Sequence, residues 1–322
     1  MRKYIVIAIT LIVLMTLPIL ASLTPTQTKP STTPLSISPH PTLTTHPMIP
    51  VTPGQPVNIG PKNKVSKNTA AAPCPLPLAQ CNASFNWGGY AVTGPTGSVS
   101  DVKGAWTVPK VRSSSIGNGQ CFHNDVSWYD LAQWIGIDGW SSNTVEQTGT
   151  GSDCYYGTLY YYAWSEFFPT EPEITVFPVN PGDKMTAEVT FTGTAFTTTI
   201  TDLTTHQTST RTEPLSYVPG AEENSAEWIS ETAAACLNPS CSIFSFLDLT
   251  DFGTGAFSGA TATVSGSPGP ISSFGSNVQW VEMVNLNFPA TPAFPQEDTK
   301  DYPTALTASG DGFTVEFVSA GP

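Results

Sequence analysis

The chain has 322 residues, with 30 prolines, 26 glycines and only 11% charged residues. This composition describes turns and extended segments and excludes a helical bundle. Charge is uneven: residues 1–100 hold six Lys and Arg and no acid (+6), whereas residues 101–322 hold six cations against 25 acids (−19). Such a body lacks the clustered Lys and Arg that phosphate binding requires, which excludes nucleic acid as a partner.

The N-terminus reads Met1-Arg2-Lys3, then an apolar run from Tyr4 to Leu20, then the small residues Ala21 and Ser22. A positive start, an apolar stretch and a small-residue exit predict a secretory signal over residues 1–21. An uncleaved anchor is the competing reading, since the run approaches the lower limit for a spanning helix. Pro18 and the small residues behind it favour cleavage, so no membrane association beyond export is expected. Residues 22–81 follow, with 13 prolines, many Ser and Thr, no acid, no aromatic residue and the lysines Lys29, Lys62, Lys64 and Lys67. This segment cannot bury enough apolar surface to offset its ordering entropy and is expected to be extended or disordered, as a stalk or a pro-segment.

From Asn82 onward the character changes, and all eight tryptophans lie there. Period-two alternation recurs in Lys184 to Phe191, Phe196 to Thr201, Ala260 to Val264 and Phe313 to Phe317. Short alternating runs separated by Gly, Pro, Asn and Ser mark antiparallel strands. Ala221 to Ala235 is the best helix candidate, although Trp228 and Ile229 beside Glu227 continue no apolar stripe. Residues 82–322 are read as one all-β domain, large enough to bury a single core in a sandwich or barrel.

Six cysteines, an even number, suit three disulfides in an oxidising compartment. Cys74 and Cys81 are expected to close a small loop, Cys236 and Cys241 to make a local bridge, and Cys121 and Cys154 to form the third pair. None has the Cys-x-x-Cys spacing of a metal site, and no metal or cofactor is expected. The chain holds no Gly-x-Ser-x-Gly elbow, no His-Glu-x-x-His helix, and neither Asp-Thr-Gly nor Asp-Ser-Gly. Past residue 100 the only histidines are His123 and His206, each read as a surface residue. Catalysis therefore falls to carboxyls and amides. Below the carboxyl pKa values, residues 82–322 would keep only six Lys and Arg and two His, a charge of +8. Scarcity of cations limits self-repulsion in acid and points to an acidic working environment. There a histidine base is protonated, whereas a Glu near its reference pKa of about 4.3 still exchanges protons. A Gln amide offers donors that do not titrate.

Five segments in order carry a family resemblance: Asn86-Trp87-Gly88-Gly89-Tyr90, Gln133-Trp134-Ile135-Gly136-Ile137-Asp138-Gly139, Glu146-Gln147-Thr148-Gly149, Tyr161-Tyr162-Ala163-Trp164-Ser165-Glu166-Phe167-Phe168-Pro169, and Ser225-Ala226-Glu227-Trp228-Ile229. Together they resemble the glutamic peptidases, or eqolisins, which are secreted acid endopeptidases. The hairpin from Lys184 to Ser209 is similar too. The match covers roughly Asn82 to Leu249. It implies an antiparallel β-sandwich of two curved sheets, of jelly-roll type, with polypeptide substrate lying across the concave face. It also implies a catalytic dyad of Gln147 and Glu227, the Glu as general base and then acid, the Gln as oxyanion donor. Trp87, Trp134, Asp138, Trp164 and Glu166 match positions around that dyad. Tyr162 stands where the family commonly has Asp, so a supporting carboxylate is expected to be missing. The resemblance implies a pepstatin-insensitive enzyme, and a monomer is expected. Two rivals remain: a β-sandwich glycosidase using Glu166 and Glu227, and a non-catalytic carbohydrate-binding module on a stalk.

Overall fold

In a computed structural model of the chain, the residues described are 48–49, 74–112, 119–121, 128–236, 244–285 and 299–321. The strands run in chain order as β1 (Met48–Ile49), β2 (Cys81–Ser84), β3 (Trp87–Thr93), β4 (Val99–Thr107), β5 (Trp128–Asp130), β6 (Ala132–Ile137) and β7 (Val145–Tyr155). Next come β8 (Thr158–Phe168), β9 (Ile174–Pro178), β10 (Lys184–Phe191), β11 (Ala195–Asp202), β12 (Gln207–Pro214), β13 (Ser225–Glu231) and β14 (Ala234–Cys236). The last are β15 (Phe244–Phe246), β16 (Asp248–Leu249), β17 (Thr254–Val264), β18 (Ser267–Pro270), β19 (Val278–Val284), β20 (Thr299–Pro303) and β21 (Phe313–Phe317).

Two layers result, giving the expected antiparallel sandwich. One sheet has the order β9-β8-β7-β6-β13-β3-β19-β2, antiparallel throughout except that β2 lies parallel to β19. The other has the order β12-β11-β10-β4-β17, with β18 and β21 added along β17. Strand β20 pairs with both β19 and β21 and so joins the layers at one edge. Alternation sets which side chains meet between the layers. Met185, Ala187 and Val189 from β10 and Phe196 and Ile200 from β11 join Val102 and Trp106 of β4. They form one cluster with Tyr90 and Val92 of β3, Ile135 and Ile137 of β6, and Trp228 of β13. Each large side chain buried this way contributes about 1.5–3 kcal/mol. The Trp228 indole N–H donates to the Lys103 carbonyl at 2.7 Å, so the one polar edge of that ring is satisfied. The threonines between the apolar residues of β11 face out and pair with β12 as Thr197–Thr212, Thr199–Thr210 and Thr201–Thr208, at 2.9, 3.2 and 3.0 Å.

The stretch Ala221 to Ala235 is not a helix; it supplies β13 and β14. Strand β13 lies between β3 and β6 with Ala226, Trp228 and Ser230 on one face and Glu227, Ile229 and Glu231 on the other. Both faces are covered, which removes the polar alternation that marks a half-buried strand. Cys74–Cys81 and Cys121–Cys154 are disulfides. The Cys236–Cys241 bridge, His123, the export signal and nearly all of residues 22–73 fall outside the described residues. His206 sits exposed in the β11–β12 turn at φ 61°, a left-handed conformation that His tolerates better than most residues. Among the described residues, no helix is long and apolar enough to cross a membrane.

Candidate functional site

One register row crosses the first sheet. Glu166 on β8 opposes Gln147 on β7, Gln147 opposes Gly136 on β6, and Gly136 opposes Glu227 on β13. Residues directly opposite in antiparallel strands send their side chains to the same face. Gln147, Glu166 and Glu227 therefore stand together on the face turned away from the interlayer core. Two strand spacings separate the α-carbons of Gln147 and Glu227, about 10 Å. Gly136 lies between them and contributes nothing to the gap. A β-carbon there would sit 3.2 Å from Cβ of Gln147 and 3.0 Å from the Trp134 ring. An amide and a carboxyl thus flank a residue that has no side chain, and the Trp134 ring lies over it.

The electrostatics of the row follow from burial. Glu227 is 0% exposed and both its carboxyl oxygens lack a hydrogen-bond partner. Burial pushes its carboxyl well above the ordinary range. The charge of Asp138 adds to that rise, while the nearby Ser225 hydroxyl and Trp140 amide oppose it without reaching hydrogen-bond geometry. Gln147, 7% exposed, donates through Nε2 to Oε2 of Glu166 at 2.7 Å, and its Oε1 has no partner. Burial pushes Glu166 up to about 8, helped by the charges of Glu231 and Glu171 and opposed by the Gln147 bond. Glu166 is committed to Gln147, which stands between it and Glu227. Three strand spacings, about 14 Å, separate the two glutamate α-carbons. The Gln147 side chain, bonded to Glu166, occupies the position between the two carboxyls that a glycosidic bond would need.

Asp138 acts on the chain that enters β13. It is fully buried at φ 71°, and its carboxylate accepts backbone N–H groups of Glu222, Glu223 and Asn224 at 2.8, 2.9 and 3.0 Å. Burial raises its pKa and these three donors hold it back. The turn before Ser225 is thereby fixed, and with it the start of the strand that carries Glu227.

The aromatic residues form the floor beside the row. Trp87, Trp134, Trp164, Val145, Phe168, Ile229 and Val281 make one cluster on this face. Trp87 and Trp134 meet edge to face at 5.1 Å. Gly149 lets Trp134 and Trp164 close in, since a β-carbon there would lie 2.6 Å from Cβ of Trp134 and 2.8 Å from the Trp164 ring. Glu231 completes this floor and was missed in the sequence. It accepts the Trp134 indole N–H at 2.7 Å and the Asn86 side-chain amide at 2.8 Å, and burial pushes it up to about 8. The available signal was its place four residues beyond Glu227, on the same face of one strand. Tyr162 keeps a carboxylate in the network, because its hydroxyl donates to Oδ2 of Asp153 at 2.8 Å. The ring occupies space left by Gly151 opposite, where a β-carbon would lie 2.4 Å from it.

Comparison with curated protein sequences finds no match. Among solved structures the chain is similar to Scytalido-glutamic peptidase bound to a peptide-based transition-state analogue, at 22% identity over 73% of this chain and 98% of that one, with a TM-score of 0.57. It is also similar to SCP-B, a member of the eqolisin family of peptidases in complex with the tripeptide Ala-Ile-His, at 22% identity, the same coverage and a TM-score of 0.55. These likenesses establish the shared fold. The sequence pattern of the Peptidase A4 family matches residues 85–291, more than half of the chain and all of the row described above. The chain belongs to the Peptidase A4 family, the eqolisins or glutamic peptidases.

Proposed function

We propose that this peptidase is a secreted endopeptidase that works in acid on polypeptides, with Gln147 and Glu227 as its catalytic pair. The observation that carries the reading is the row Gln147–Gly136–Glu227, which sets an amide and a carboxyl on one face on either side of a residue that has no side chain. A water held there is deprotonated by Glu227 as its oxygen attacks the peptide carbonyl carbon. The oxyanion that forms accepts an N–H from Gln147, and Glu227 then gives the proton to the leaving amine. Gln147 has two Nε2 hydrogens; Glu166 takes one and thereby orients the amide. Asp138 holds the approach to β13, and Trp87, Trp134 and Trp164 form the wall against which the substrate lies.

Glu227 and Gln147 are buried in the form described, so a polypeptide reaches them only after an opening step. Opening admits water to Glu227 and returns its pKa toward the ordinary carboxyl range, where it can exchange protons in acid. The basic segment 22–81 fits the role of a pro-segment paired with the acidic body near neutrality and released by self-cleavage when the carboxylates protonate. Glu227→Gln is isosteric and should abolish protein hydrolysis near pH 2–4 while leaving the circular dichroism spectrum unchanged. Surviving hydrolysis would remove Glu227 from the mechanism. The same variant, held at pH 3, should keep residues 22–81, and activity in the native enzyme should resist pepstatin.

A further inference from the structure

Beyond the catalytic row, the same face holds a second set of carboxyls that the proposed reaction does not use. Asp130 ends β5 and Asp153 lies on β7. The pairs Trp128–Tyr155 and Tyr129–Cys154 place Asp130 opposite Asp153, with both side chains on one face. They are 3% and 4% exposed, so two carboxyls opposite in register share one enclosed place. Two ionised carboxylates cannot persist side by side there, so one of them holds a proton. Oδ2 of Asp130 accepts the Ala233 amide at 2.7 Å, and Oδ2 of Asp153 accepts the Tyr162 hydroxyl at 2.8 Å. Oδ1 of Asp153 has no partner to stabilise a charge, and burial together with the Asp130 charge raises Asp153, so the proton rests on Asp153.

We propose that Asp130 and Asp153 share one proton and thereby act as a pH-set fastener, holding the end of the strand that carries Glu227 in acid and releasing it when that proton is lost. The link to β13 is direct. Ala233, whose amide rests on Asp130, follows Glu231 by two residues, and its carbonyl accepts the Leu247 amide. The Asp130 carbonyl in turn accepts the Thr250 amide, and β16 lies parallel to β5. Five chain segments therefore converge on the pair: β5, β7, β8, the β13–β14 link and the stretch entering β17.

The charged groups around the pair favour release as pH rises. Half-buried Glu173 lies beside the Tyr162 hydroxyl and repels both aspartates, and Glu231 faces Asp130 from β13. Burial raises Asp130 and raises Asp153 further, with the Asp130 charge adding to the second rise. Lys300, on β20, is the one buried cation among the described residues and favours the charge on Asp130. Burial pushes its pKa down to about 8, against the pull of Asp248, Asp301 and Asp130. Rising pH thus adds carboxylate charge at the pair and then removes the cation beside it. Two like charges in contact at a buried site cannot both persist without movement of one strand.

Asp130→Asn and Asp153→Asn test this, because an amide at either position can still donate to its partner while the other oxygen keeps its Ala233 or Tyr162 contact. Near-UV circular dichroism and tryptophan fluorescence would be followed from pH 3 to pH 9 in the full chain. Each single variant should move the midpoint of the alkaline loss of tertiary signal upward by about one pH unit or more. The double variant should gain no more than either single, since removing one charge already abolishes the repulsion. Additive shifts, or no shift, would overturn the shared proton. If a variant fails to fold even in acid, the wild-type protein decides the matter through a titration of its aspartate side-chain carbons by NMR. The pair should release its two protons in steps separated by more than about two pH units. A titration in which every aspartate loses its proton in one step near the ordinary range would end the proposal. None of these readouts requires catalysis, so they stand or fall separately from the role given to Glu227.

Discussion

Gly136→Ala probes the central gap with the smallest possible perturbation. Gly136 has no positive φ, so an alanine adds no backbone strain, and fixing the unfolded chain with a β-carbon stabilises by about 0.4–1 kcal/mol. Against this, the new methyl would lie 3.0 Å from the Trp134 ring and 3.2 Å from both Cβ of Gln147 and the Glu146 carbonyl oxygen. Contacts that tight push neighbours apart by a few tenths of an ångström, an overpacking cost of about 1–3 kcal/mol. The net loss is about 1–2 kcal/mol, which lowers Tm by roughly 2–8 °C in a domain of this size. The effect on catalysis should be far larger, because the methyl enters the space assigned to the attacking water and pushes on Gln147. A displacement near 1 Å at such a position costs about 100-fold in rate. Initial rates on an unfolded polypeptide at pH 3, beside a thermal melt at the same pH, separate the two effects. An alanine enzyme with the wild-type kcat would show that the gap between Gln147 and Glu227 is not where the chemistry happens.

Stability should fall as pH rises. Asp301 is 0% exposed, accepts the Ser230 hydroxyl at 2.9 Å and is pushed up to about 7, mainly by burial. The folded state holds this proton more tightly than the unfolded chain, so its contribution is complete below the ordinary value of 3.8 and is lost as pH climbs towards 7. The difference of about three units corresponds to on the order of 4 kcal/mol. Asp301→Asn should therefore flatten the decline of the urea midpoint between pH 4 and pH 7.5, and a wild-type protein more stable at pH 7.5 than at pH 4 would contradict the sign. Asp138→Ala strips three backbone amides of their acceptor and should cost about 2–4 kcal/mol, with a fall in kcat that Asp138→Asn only partly restores; melts and steady-state kinetics check both. Glu231→Gln cannot accept from both the Trp134 indole and the Asn86 amide through one oxygen as effectively as two do, so KM should rise more than kcat falls. Replacing Cys121 and Cys154 by alanine opens a 33-residue separation and should cost about 4 kcal/mol by loop entropy, read from denaturant midpoints in acid.

The parts of this fold that could be read in the sequence are those whose two faces meet different surroundings. Strands β10 and β11 announce themselves because Met185, Ala187 and Val189 enter the core while Thr186 and Glu188 meet water. Strand β13 does not, because Glu227 and Trp228 are both wholly buried on opposite faces and the polarity pattern no longer reports burial. The family resemblance implies Gln147 and Glu227 as partners, yet nothing in their spacing of eighty positions conveys that Gly136 lies between them in register. That relation is created by pairing β6 with both β7 and β13. Glu231, Asp130 and Asp153 were illegible for a related reason: a carboxyl alone in a sequence looks like solvated surface, and only enclosure by Trp134, Tyr162 and the Ala233 amide turns it into a proton holder. The acid operation proposed above would have two separable roots. Scarce cations keep the protonated surface from repelling itself, a property written in the composition, while the buried carboxyls need protons to stay enclosed, a property written only in the fold. A neutral-pH relative could restore surface lysines without harm to the core, but it could not keep the buried carboxyls without losing stability as they ionise.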